Sequence, residues 1–196
     1  MAALERIRSE TRALHQAIER VNPLAAADLT ARGYRRHLEK LLGFHAPLEL
    51  RLAALSERHG LTAELSGRGK TPLLLRDLAA LGLRPATADA VPWSRELPQP
   101  VGVGGLLGCA YVLEGATLGG KVILRHLAPR LPEIAGASRY LDCYGAEVGA
   151  RWKQLLALLE AHLLASDAVD AAVTAARATF ETLARWLAAP EPVGVV

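Results

Sequence analysis

The sequence predicts an all-α protein built as a single domain. Three observations predict it: apolar residues recur at three- and four-residue steps through the long segments, convincing alternating strand patterns are absent, and Pro or Gly falls at the joints between periodic stretches. A chain of 196 residues, 51% of them hydrophobic, is of single-domain size and can bury a sizeable core. The expected division is one helical domain over residues 1–189 and a short tail over 190–196.

The first helix is expected over residues 2–20, with Leu4, Ile7, Thr11, Leu14, Ala17 and Ile18 on one face. Asn22-Pro23 closes it, because proline disfavours helix in the residue before it. Asp28 or Thr30 can cap a second helix over 31–59, where Tyr34, Leu38, Leu41, Leu42, His45 and Leu48 turn inward and Pro47 should introduce a kink. Residues 60–70 read as a connector. Thr71-Pro72 opens a helix to about residue 81, with threonine as cap, and Gly82 stops it. A further turn or two is expected over 86–90, then a loop marked by Pro92, Pro98 and Pro100. A long glycine-bearing helix follows from Gly102 to near Pro129, and two more are expected over 138–165 and 168–188.

The formal charge of +3 is too small, and the arginines too dispersed, to argue for nucleic acid. Cys109 and Cys143 lack the spacing and number of a disulfide framework or zinc site and read as thiols in a reducing cytosol. The N-terminus carries an early acid at Glu5 and no long apolar core, and the apolar run over 101–113 is short for a bilayer span, which takes about 20 residues. The expectation is a cytoplasmic protein without membrane insertion.

Thr11, His15 and Glu19 stand at four-residue steps on one helix face. A glutamate one turn beyond a histidine can orient the imidazole and leave its other nitrogen for a metal; a histidine so placed is also a common boundary residue, and spacing alone leaves both readings open. Gly105, Gly108, Gly115 and Gly119 fall near one stripe, with Gly120 adjacent. Each interior helical glycine costs about 1 kcal/mol relative to alanine, so the cluster needs a compensating close approach, either of another helix or of a flat ligand.

Residues 115–121 also imitate a phosphate loop, G-x-x-x-x-G-K, but Val122 stands where Ser or Thr would coordinate magnesium, and the strands of a parallel sheet are missing. Glu114 and Lys121 interrupt the apolar run and exclude a membrane-dimer motif. A di-iron site would need Glu-x-x-His pairs, which do not occur, and no G-x-S-x-G elbow appears.

Taken together, these residues resemble the haem oxygenase family, especially its bacterial members. Residues 7–19, IRSETRALHQAIE, are similar to the family's proximal helix, and residues 110–121, AYVLEGATLGGK, to its kinked distal helix. Trp152-Lys153-Gln154 resembles the propionate-contacting helix and Ala178-Thr179-Phe180 a pocket-lining segment. Three positions depart from the pattern: Ala116 stands where many members have an aspartate, His45 where a tyrosine often lies, and Ala157 where a basic residue is common.

The resemblance implies a fold with haem b between the first helix and the glycine-rich helix. His15 would ligate the iron, with Glu19 as its orienter. Thr11, Tyr111, Lys153 and Phe180 would complete the haem-binding set, and Gly115, Gly119 and Gly120 would supply the distal backbone where oxygen reacts. His45 and Tyr34 could also face the pocket. The implied reaction cleaves the porphyrin at a meso carbon with molecular oxygen, giving biliverdin, carbon monoxide and ferrous iron. Electrons would come from an external ferredoxin or reductase, and a bilin-accepting phytochrome is a possible downstream partner. The alternatives are a non-catalytic haem-binding or haem-transfer protein, a thiaminase-like hydrolase on the same fold, and a purely structural helical protein.

Overall fold

The computed structural model describes residues 2–83 and 91–190. Among them every regular element is helical: α1 (Ala2–Val21), α2 (Ala31–Arg58), α3 (Thr62–Leu65), α4 (Thr71–Ala80), α5 (Gly102–Leu127), α6 (Arg139–Asp142), α7 (Val148–His162) and α8 (Ser166–Ala188), with 3-10 turns at Pro23–Ala25, Pro132–Ile134 and Gly145–Glu147. The turn expected over 86–90 and the tail beyond Pro190 lie outside the described residues.

Local chemistry explains the joint between α1 and α2. Asn22 closes α1 and accepts the Leu24 N–H to cap the next turn, and Thr30 caps α2 by accepting the Gly33 N–H. Pro47 has no N–H, which leaves the Gly43 carbonyl without its usual helical partner; the Ser94 N–H donates to that carbonyl instead, at 2.8 Å, and binds the 91–98 loop to α2.

Three expectations are corrected. Thr71 does not cap α4 but is its first residue, and the Lys70 and Thr71 N–H groups donate to Glu49 on α2, at 2.7 and 3.1 Å. The 60–70 connector contains the short α3. The single helix expected over 138–165 is broken: Cys143 takes φ 36° and Gly145 φ 55°, which separates α6 from α7. The start of α6 is held by buried Asp77 on α4, which accepts the Arg139 and Tyr140 N–H groups at 2.9 and 2.8 Å.

Among the described residues the helices build two large apolar cores and a small third one around Phe44, Leu48 and Leu113. One large core joins α2, α4, the end of α5 and the residues around Ile134 and Leu141. The other joins α1, the first half of α5, α7 and α8. The closest approaches are made where side chains are absent. A Cβ added at Gly104 or Gly108 would lie 2.2 and 2.1 Å from the Ala168 and Ala172 carbonyl oxygens of α8, and one at Gly120 would lie 2.1 Å from the Leu141 oxygen. By length and composition α5 could cross a membrane, yet 56% of its most apolar window is buried inside the molecule.

Candidate functional site

The site is set up by α8, on which α1 and α5 both pack. Contacts rise together along α1 and α8: Arg6 with Asp170, Glu10 with Arg177, and the His15 ring against Phe180. They also rise together along α5 and α8, from Gly104 at Ala168 to Gly108 at Ala172. All three helices therefore run parallel. Two turns beyond the Gly108–Ala172 crossing, about 10–12 Å along each axis, α5 reaches Gly115 and α8 reaches Phe180. His15 and Gly115 thus stand at the same height on two helices that flank α8.

His15 is open to solvent, its side chain 55% exposed, with Nδ1 3.5 Å from Glu19 Oε1. Phe180 is buried and meets the imidazole edge-on, ring centroids 5.8 Å apart. On α5 the corresponding stripe holds Tyr111, Gly115, Leu118, Gly119 and Val122. Leu118 and Val122 are exposed, and a Cβ at Gly119 would meet nothing within 4 Å among the described residues. Trp152 on α7 walls the stripe, with its ring 5.3 Å from that of Tyr111 and close to where a Gly115 side chain would begin. Lys153, the next residue, is exposed.

The other sequence candidates are placed differently. Thr11 is buried, and its hydroxyl donates to the Ile7 carbonyl of its own helix at 2.7 Å. Gly120 turns away from the stripe and backs onto α6. Tyr34 donates to the Ala137 carbonyl at 2.8 Å within the core, and buried His45 faces Glu49, its Nδ1 3.1 Å from Oε1.

Sequence reading missed the charge cluster behind Gly115. Glu114 is buried; Arg68 donates to its Oε2 at 2.6 Å, Lys70 to its Oε1, and the Tyr144 hydroxyl to Oε1 at 2.8 Å. Lys70, 1% exposed, also donates to the Tyr144 oxygen and the Arg68 carbonyl. The only sequence signal was a lone carboxylate in an apolar helix, since Arg68 and Lys70 fell in the glycine-bearing connector.

Residues 1–189 match the family described as "Heme oxygenase". The chain belongs to the haem oxygenase family. It is also 35% identical over 170 residues to a protein named "Heme oxygenase" from Xanthomonas campestris pv. campestris (strain 8004), an alignment covering 83% of this chain and 91% of that one. Membership makes this an oxygen-using oxidoreductase that degrades haem to biliverdin, carbon monoxide and iron, with haem as substrate and O2 as co-substrate. The haem oxygenase fold is all-helical, as found here.

The residues suit a planar macrocycle. An exposed imidazole on one helix stands level with a glycine-bearing, apolar strip on the other, and the glycines leave room for a flat ring against backbone.

Proposed function

We propose that haem b lies between α1 and α5, with His15 as the protein's ligand to iron and the Gly115–Gly119 strip bounding the side where oxygen reacts. The observation that carries this reading is the common height of exposed His15 and the open glycine strip on either flank of α8. Bound haem supplies the redox-active iron and the meso carbon that is cleaved.

The protein's own share is holding and shielding. Glu19 draws His15 Nδ1 toward itself and leaves Nε2 for iron, while Phe180 supports the imidazole from the core side. Gly115 and Gly119 let backbone approach the porphyrin, and no bulky side chain competes with dioxygen there. Gly120 serves the same wall from behind, because its missing side chain lets α5 close onto Leu141. Tyr111 and Trp152 exclude water at one end. Lys153, exposed beside Trp152, would supply a compact cation for a haem propionate. With Ala157 in place of a second base one turn on, this anchor is a single charge from α7.

An external ferredoxin or reductase supplies the electrons, and the biliverdin formed is chemically suited to a bilin-accepting phytochrome. A cytoplasmic location fits two free thiols, one buried and one half-buried.

The test is an absorption time course of the purified protein with hemin, a reductase system and oxygen, with catalase present to remove free peroxide. Loss of the Soret band with biliverdin appearing is expected. A stable Soret band would reduce the reading to haem binding without turnover, and no binding would overturn it.

A further inference from the structure

We propose a second ligand site on the side of α5 turned away from Gly115 and Gly119, suited to a neutral, mostly apolar small molecule bearing one hydrogen-bonding group such as a carbonyl. A cavity of about 940 Å³ lies between the second half of α2, the α3–α4 corner, Trp93 and α5. On α5 it is lined by Leu106, Ala110, Leu113 and Glu114. At about 100° per residue these project opposite to the Gly115–Gly119–Val122 strip, and neither His15 nor either of those glycines lines the cavity. The volume is at the upper end for a small-molecule pocket and far above a packing flaw.

The ligand class follows from the lining. Alanines and leucines from α2 and α5 make its largest apolar surface, and Leu50 and Trp93, 64% and 53% exposed, stand at it as large apolar groups open to solvent. Ser56, only 4% exposed, and the less buried Thr71 also line the cavity, and neither hydroxyl has a hydrogen-bond partner among the described residues. A helical serine ordinarily returns its hydroxyl to a carbonyl one turn back; an unpaired one in a buried wall is a donor in search of an acceptor.

Charge narrows the choice. Glu49, Glu57 and Glu114 line the cavity against Arg68, a balance that disfavours anions and therefore a propionate-bearing tetrapyrrole. Cations are not favoured either at the inner end: Glu114 is already met by Arg68 and Lys70, and Glu49 by His45 and two backbone N–H groups. A neutral molecule with an apolar body and an acceptor within reach of Ser56 remains.

The experiment is equilibrium dialysis of the full chain against 6-propionyl-2-dimethylaminonaphthalene, a neutral aromatic ketone, with and without saturating hemin. Saturable one-to-one binding unaffected by hemin is expected. Ser56→Ala should weaken it roughly threefold to tenfold, the worth of one hydrogen bond, without lowering the melting temperature. Ala110→Phe, filling the cavity from α5, should abolish it. Ala54→Trp fills from the exposed side of α2 and serves the same purpose if the α5 variant does not fold. Displacement by hemin, binding that survives the filling variants, or no binding up to the solubility limit of the probe would each overturn the proposal.

Discussion

A carboxylate buried in an apolar helix must be met by cations that are buried with it, and Glu114 is met by two. The Glu114→Ala variant strands Arg68 and Lys70 inside the protein, so a stability loss of about 3–5 kcal/mol is expected, read as a lower midpoint in urea unfolding. The sequence displayed Glu114 only as an interruption; its partners lie more than forty residues upstream, and no local pattern joins them. His37 carries a pH-dependent prediction. Burial first, and the Lys40 charge second, push its pKa down from 6.5 to about 4. Between those values the unfolded chain binds a proton that the folded chain refuses, so stability falls as pH drops from 6.5 toward 4. His37→Gln should flatten that loss by up to about 1.4 kcal/mol per pH unit, measured as the difference between unfolding curves at several pH values. Glu49 adds to acid sensitivity lower down. Burial alone would raise its pKa, but His45, the Lys70 N–H and Thr71 together hold it below its usual 4.5, and the associated stability is lost as pH falls through the lowered value.

The helices were legible because their apolar periods and caps are local; where one helix is completed by another, the signal disappears. Glu49 caps α4 from α2 and Asp77 caps α6 from α4, pairings that span more than twenty and sixty residues. The break at Cys143 was hidden for the same reason, since a side-chain-bearing residue at positive φ costs on the order of 1–3 kcal/mol and is held there by surrounding structure. The glycines of α5 were visible as a cluster, but sequence left helix packing and ligand approach unresolved. The structure divides them: Gly104, Gly108 and Gly120 press on backbone oxygens, while Gly119 faces open space. Gly108→Ala should therefore cost about 1–3 kcal/mol through forced displacement of α8. Gly119→Ala should gain about 0.5–1 kcal/mol from helix propensity, yet retain hemin less tightly and shift the ratio of biliverdin isomers. Thermal unfolding and chromatography of the products separate the two behaviours.

At the scale of the whole molecule, α1 and α5 are each anchored to α8, and the proposed haem bridges them from the far side. Bound hemin should then act as a strut, adding about 2.7 kcal/mol at a free concentration a hundredfold above Kd, seen as a raised melting temperature. Fold class was readable from the apolar periods along the chain, and the family from residues 7–19 and 110–121, because both signals are local in sequence. The 940 Å³ cavity was not, because its walls come from α2, α5 and the chain between them. The central claim, that His15 is the protein's ligand to haem iron, is tested most directly by absorption spectra of hemin-loaded His15→Ala with and without added imidazole. Loss of the native Soret band and its recovery as imidazole enters the space left by the side chain are expected. Native coordination in the variant without imidazole would contradict the assignment.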